Sequence, residues 1–425
     1  MKILLISTYF SKGGAAISSA RVFENLKSHG VDVKMLVRDR DQSNDPEGVH
    51  STTRWAGKKW LNTIRMVLER LSFIRVEESK TVRFLFSLAN KGEQVVQNKH
   101  VREADIIHLH WINFAFLSLR SLKAIFASGK PVVWTFHDMW AFTGGCHYAL
   151  DCTNYQSECR RCPYLKKPGT KDLSNRLWKK KERLFRDSQF TVVTPSDWLN
   201  ECTTSSALLG GHKVQTIRYS LDETIFRPVD REAACRSLGL DPTKKYILFG
   251  AAAVRSLVKG FDYFLEAVRI LDQELVPESG VEIILFGKTQ GGEDKLFPIP
   301  VRSIAYVSSV STLVELYSAA HLFAIPSLQD NSPNTVIESM LCGTPVVGFH
   351  TSGVHEMFEH QVNGYVARFK SAEDLAKGMN WVLGHNNYEQ LSADARKSAS
   401  QRYSRQRAAE EHVDLYKRLL DSNQT

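Results

Sequence analysis

The sequence predicts an α/β protein built from two doubly wound, Rossmann-like parallel sheets, and three observations carry the prediction. Short apolar, β-branched runs alternate with stretches of helical period, the pattern of βαβ units. These runs fall into two groups, separated by a proline-punctuated segment from Tyr219 to Pro228 that has no strand pattern. The chain has 425 residues, too many for one core at the usual ~100–200 residues per domain.

The first group supplies strands at Ile3 to Ser7, Val33 to Val37, Ile106 to Leu109, Val132 to Phe136 and Thr191 to Thr194, and defines a domain over 1–222. Tyr246 to Gly250, Ile283 to Phe286, Leu322 to Ile325 and Pro345 to Gly348 form the second group, over 223–403. The tail Ser422 to Thr425 is expected to fray. With 43% hydrophobic and 24% charged residues, the composition excludes wholesale disorder, a collagen and a coiled-coil rod.

The opening run Ile3 to Ser7 is too short for a secretory leader and precedes no cleavage-type site. No apolar stretch reaches 18 residues, so no spanning helix and a cytoplasmic location are expected. A net charge of +9 favours polyanions, anionic lipid or nucleotide phosphates. The cations are dispersed and no nucleic-acid recognition motif occurs, so nucleic acid is not an expected partner.

Ligands of doubly wound sheets bind at the carboxyl ends of strands, so chemistry is sought there. Gly13 and Gly14 follow the first strand and open a helix, where backbone can approach a phosphate; a tight turn requires glycine as well. His108 and His110 end a strand on one face, consistent with acceptor contact or packing, or with metal, and Trp111 follows them. His137 and Asp138 end another, and a histidine can share a proton near neutrality. Arg255 and Lys259, after the strand ending at Gly250, can neutralise a diphosphate or form a solvated helix face.

The run from Ile325 to Val347 holds Asp330, seven further residues, Glu338 and then Cys342-Gly343-Thr344-Pro345. It resembles the donor-site signature of retaining glycosyltransferases of family 4. Arg255 to Gly260 resembles that family's Arg-x-x-x-Lys-Gly element, and Val132 to Trp140 its strand-His-Asp element. Gly353 to Glu356 and Asn363 to Val366 continue the pattern, so the resemblance covers nearly the whole chain. Two departures stand out: Asp330 replaces the usual glutamate, and Asn331-Ser332-Pro333-Asn334 replaces a turn containing glycine and an aromatic residue.

The resemblance implies a GT-B fold with two domains facing a central cleft and a C-terminal helix, within 404–425, returning to the first domain. It implies an acceptor site in the first domain, with His110, Trp111 and Asp138, and a nucleotide-sugar site in the second. The donor set would comprise Gly13, Gly14, Arg255, Lys259, Asp330, Asn331, Asn334, Thr335 and Glu338, with Glu338 on the ribose. His137, Arg255, Lys259 and Asp330 would carry a retaining transfer to a saccharide or lipid-linked saccharide, with no cofactor required for catalysis. A sugar-nucleotide epimerase and a catalytically lapsed nucleotide-sugar-binding protein are the alternatives.

Cys146, Cys152, Cys159 and Cys162 crowd into 17 residues after His137. A structural zinc, disulfides and free thiols all remain open for them. A similar loop occurs in the branch of family 4 resembling transferases of extracellular polysaccharide, the colanic-acid type. Cys202, Cys235 and Cys342 read as isolated buried residues. Finally, Trp55 to Arg75 sets Trp60, Leu61, Ile64, Val67, Leu68, Leu71 and Ile74 at helical spacing among Lys58, Lys59, Arg65 and Arg75. This helix either packs on the first sheet or lies on an anionic membrane, placing the protein at the inner face of the cell membrane. Trp178-Lys179-Lys180-Lys181 would extend the same positive face.

Overall fold

Leu4, Leu5 and Ile6 are at most 1% exposed in succession, because both faces of their strand are covered, the condition of a parallel sheet. In the computed structural model, which describes residues 1–39, 46–53, 55–274, 280–304, 307 and 309–422, the chain divides into two compact units. One comprises Met1–Tyr219 with Gln406–Thr425, the other Ser220–Arg405. The breaks fall at Tyr219 and Arg405 rather than at Asp222 and Tyr403. Asp222 is held by Arg405, and the Leu221 N–H donates to the Tyr403 carbonyl at 3.3 Å, both inside the second unit. From Asn423 on, the expected frayed tail lies outside the described residues.

The first unit contains β1 (Lys2–Ser7), β2 (Asp32–Val37), β3 (Val49–Ser51), β4 (Ile106–Leu109), β5 (Val132–Thr135), β6 (Thr191–Thr194) and β7 (Lys213–Thr216). They form one sheet in the order β3-β2-β1-β4-β5-β6-β7, every pairing parallel. The second contains β8 (Lys245–Ala253), β9 (Val281–Lys288), β10 (Val301–Ile304), β11 (Leu322–Ile325), β12 (Val346–Phe349) and β13 (Gly364–Ala367). Their order is β10-β9-β8-β11-β12-β13, again all parallel.

Strand order reverses between β1 and β4 in the first sheet and between β8 and β11 in the second. At such switch points the loops leaving the two strands diverge and open a crevice above their carboxyl ends. Gly13 follows β1, His110 and Trp111 follow β4, Arg255 and Lys259 follow β8, and Asp330 follows β11. Helix Arg405–Ser422 belongs from Gln406 onward to the first unit, where Leu415 and Tyr416 join the core around Leu5, Phe23 and Met35.

Candidate active site

In the second unit the turn after β8 is fixed by Gly260, which has φ +65°. A Cβ there would collide with the Pro326 carbonyl oxygen. Only glycine lets the Lys259 turn sit directly against the loop leaving β11, and that contact brings Lys259 Nζ within 2.5 Å of Asp330 Oδ2. Asp330 is fixed further: its N–H donates to Ser352 Oγ at 2.9 Å, and its carbonyl accepts from the Gly353 N–H at 3.1 Å. Gly260→Ala combines left-handed strain with a backbone collision and is expected to destabilise the second unit by about 2 kcal/mol or more. Thermal unfolding checks this; a variant melting with the wild type would show that the two loops can separate at little cost.

Arg255 lies over the Phe261 ring, 4.3 Å from its centroid, and donates to Asp262 at 3.1 Å. Glu293 stands 4.0 Å from its Nε. The N–H groups of Gln290 and Gly291 hold the Glu293 carboxylate at 2.7 and 2.8 Å and keep its pKa below the usual range. Both predicted diphosphate cations thus carry carboxylate partners, which pre-position them and compete with an incoming anion.

Helix Asn334–Leu341 begins after Pro333, so Pro333 and not Asp330 occupies its N-cap. Asn334 and Thr335 form its first turn, and a helix's first-turn N–H groups are donors of the kind that can hold an anion. Glu338, one turn on, is 5% exposed, and one of its oxygens accepts the Tyr317 hydroxyl at 3.0 Å. Asn331 is also buried. Gly13 and Gly14 lie in the first unit. Gly13, with φ +92°, caps helix Gly14–Ser28, and a Cβ at either glycine would meet open space.

The first unit assembles its histidines into a connected array. His137 Nδ1 meets the Tyr219 hydroxyl at 2.5 Å, and its Nε2 lies 3.1 Å from His110 Nδ1. His110 stacks on His108, centroids 4.3 Å apart. His108 in turn bonds Tyr416 and Thr135, both at 2.7 Å. Enclosure by protein pushes His137 down to about 4 and His108 and His110 well below their usual value. This corrects the expectation of a histidine titrating near neutrality: His137 is uncharged at pH 7 and both its nitrogens are engaged.

Asp138 organises the neighbouring turn. Its carboxylate takes His147 at 2.7 Å, the Trp111 indole N–H at 3.0 Å and the Trp140 N–H at 2.8 Å. Burial alone would raise its pKa, but these partners outweigh burial and leave it lowered. His110, Trp111, His137 and Asp138 line one cavity of about 20 Å³, room for a single water and not for a sugar ring.

Cys146, Cys152, Cys159 and Cys162 are free thiols lining another cavity of about 20 Å³. Among the described residues no three His, Cys, Asp or Glu side chains are placed to hold one metal ion, so this arrangement does not fit a zinc ligand set. Burial pushes Cys146 up to about 11 and Cys159 to about 12. Beneath the loop Lys181, fully buried, donates to the Thr143 and Trp140 carbonyls and lies 3.7 Å from the Trp140 ring centroid. Burial lowers its pKa to about 7. Trp178 and Lys181 are therefore interior residues and contribute nothing to a positive face, which corrects that expectation for these two; Lys179 and Lys180 are exposed.

Tyr219, His147, Tyr317, Glu293 and Ser352 were absent from the predicted set. Tyr219, Tyr317, Glu293 and Ser352 each meet a predicted residue from a distant point in the chain, while His147 meets Asp138 from the following loop, and no local motif marks any of them.

The fold is shared with solved structures over nearly their whole length. Sucrose-phosphate synthase from Thermosynechococcus elongatus matches with a TM-score of 0.66 at 15% identity, covering 99% of this chain and 100% of that one. Anabaena HepE, solved in complex with UDP and glucose, matches with 0.63 at 16%, covering 98% and 99%. The architecture is that of the GT-B class of glycosyltransferases. A family model described as "Glycosyltransferase Family 4" matches residues 12–218, and one described as "Glycosyl transferases group 1" matches residues 244–385. The chain belongs to glycosyltransferase family 4.

An uncharacterized glycosyltransferase of Methanocaldococcus jannaschii is 28% identical over 44% of this chain and 48% of its own. An Escherichia coli protein, provisionally named a colanic acid biosynthesis glycosyl transferase, is 22% identical over 74% and 76%. The chain spans about half or less of the first curated relatives it matches, 48%, 44% and 35% of their lengths.

Proposed function

We propose that the protein is a retaining glycosyltransferase moving a sugar from a nucleotide-sugar donor to a saccharide or lipid-linked saccharide in cell-surface polysaccharide biosynthesis, from the cytoplasmic side. The observation that carries the proposal is the Lys259–Asp330 pair beside Arg255, at the carboxyl ends of β8 and β11 where strand order reverses. Two relatives support it: HepE has been solved with UDP-glucose, and the Escherichia coli protein's name points to polysaccharide synthesis.

In this reading Lys259 exchanges Asp330 for a diphosphate oxygen when donor arrives, and Arg255 takes a second. Asp330, released, accepts from hydroxyls of the donor sugar. Glu338, its orientation set by Tyr317, accepts from the ribose. The bond from the anomeric carbon to the diphosphate breaks while the acceptor oxygen bonds that carbon from the same face. The acceptor proton passes to the departing phosphate oxygen. Arg255 and Lys259 stabilise the charge that develops there, so the step needs no metal. His137 serves as a neutral hydrogen-bonding group.

The test is calorimetric titration with UDP-, GDP-, ADP- and dTDP-sugars, followed by NMR of products formed with saccharide acceptors. Binding of one donor and a product of retained anomeric configuration is expected. Binding without turnover across a broad acceptor panel would favour a nucleotide-sugar-binding protein, and acceptor-free conversion of the sugar would favour an epimerase.

A further inference from the structure

Helix Ala56–Ile74 is amphipathic in the opposite sense to a core helix. Three of its polar side chains, Asn62, Glu69 and Arg70, face the protein. Asn62, Glu69 and Arg70 are 2%, 1% and 7% exposed. Asn62 donates to Thr53 at 2.8 Å, and Glu69 accepts from the Leu88 and Ala89 N–H groups, both at 2.9 Å. Arg70 donates to the Phe86 and Arg83 carbonyls at 2.6 and 2.7 Å, and Lys58 pairs with Glu93 at 2.9 Å.

Five of its apolar residues face outward, while Phe73 is buried. Trp60 is 70% exposed, Leu61 41%, Val67 46%, Leu68 45% and Leu71 45%. At 100° per residue these five share one face, opposite Asn62, Glu69 and Phe73. Trp55, 68% exposed, joins them: its ring lies where a Cβ on Gly57 would stand. The packed-helix reading of the sequence is thereby corrected, since its apolar stripe does not meet the first sheet.

Monomeric proteins rarely leave such a stripe uncovered, and the charges around it select its partner. The helix has a single carboxylate, Glu69, turned inward and engaged. Its outward side is flanked by the exposed cations Lys59 and Arg75, with exposed Lys80 beyond. Tryptophan and leucine flanked by lysine and arginine, with no exposed acid on the helix itself and exposed Glu78 only beyond its end, match a surface of acyl chains beneath anionic headgroups. We propose that helix Ala56–Ile74 docks the protein on an anionic lipid bilayer, lying in the interface with Trp55, Trp60 and Leu71 inserted. Among the described residues no helix is long and apolar enough to cross a membrane, so the contact is peripheral. This surface stands independently of the transfer chemistry.

Co-sedimentation of the full chain with phosphatidylcholine vesicles, with and without about one-third phosphatidylglycerol, tests the proposal. Binding to the anionic vesicles is expected, weakening with salt and at least ~10-fold weaker for Leu68→Glu/Leu71→Glu. Trp60→Ser adds no charge and should weaken binding in the same direction. Far-UV circular dichroism should stay unchanged and the melting temperature should move little, since these side chains are 45–70% exposed. Absence of binding to anionic vesicles, or undiminished binding by both folded variants, would overturn the proposal. So would a lipid-free dimer that the double variant abolishes, which would assign the face to a second copy of this chain.

Discussion

Lys259→Ala is expected to lower sugar transfer by roughly two to three orders of magnitude, the usual cost of removing one charge-stabilising group from a developing anion. The turn built on Gly260 sets the Lys259 backbone against the loop leaving β11, and Asp330 holds its ammonium at 2.5 Å. Arginine at 259 is expected to restore little, because the planar fork does not reproduce a point charge packed beside the Pro326 loop. The informative partner is Asp330→Asn. That substitution removes the carboxylate competing for Lys259, so nucleoside diphosphate should bind as well as or better than to wild type. Transfer should nevertheless fall, because the carboxylate proposed to hold the sugar is gone. Steady-state kinetics with diphosphate titration separate the two effects. If both variants lose affinity and rate in parallel, Asp330 serves only to position Lys259. An unchanged rate in Lys259→Ala would remove Lys259 from the chemistry.

Much of this architecture is legible in the sequence, and what is not follows a rule. Among the described residues nine of thirteen strands fall on the apolar runs picked out from the sequence, while β3, β7, β10 and the apolar, largely buried β13 are not among them. Those four are the edges of the two sheets. An edge strand faces solvent along one side, so Val301–Ile304 and Lys213–Thr216 need no continuous apolar run and carry arginine, lysine or glutamine instead. The site divides similarly. Arg255, Lys259, Asp330 and His137 stand at strand ends in local motifs. Their partners Glu293, Ser352 and Tyr219 come from other turns of the chain, and only folding reveals that both cations are engaged. The Ala56–Ile74 helix sets the limit most plainly: periodicity reports that a helix has two faces, but not which one turns inward.

The histidine array has a cost that should appear as acid instability of the first unit. His137 and His100 are held at about 4, His100 by burial and by His50 stacked 3.8 Å away, while His108 and His110 lie well below their usual value. A free histidine titrates near 6.5. Between pH 6.5 and 4 the unfolded chain therefore binds protons at these positions and the native unit does not. Stability is full above 6.5 and falls as pH drops through that window. A shift of this size corresponds to roughly 3 kcal/mol for the enclosed His137 and to less for His100, which solvent screens more, a sizeable part of the margin of an ordinary domain. The lowered carboxylates, Asp138 and Asp172, lose their contribution only as pH falls further, below the ordinary aspartate range. Among the described residues of the second unit the comparable group is His321, at about 3. Thermal unfolding from pH 7 to 4 should thus show the first unit's transition falling faster than the second's. His108→Gln, which keeps a hydrogen-bonding side chain but cannot titrate, should flatten that fall. If both transitions shift together and the variant keeps the wild-type slope, the histidines are already protonated in the native array, and the neutral role assigned to His137 fails with them.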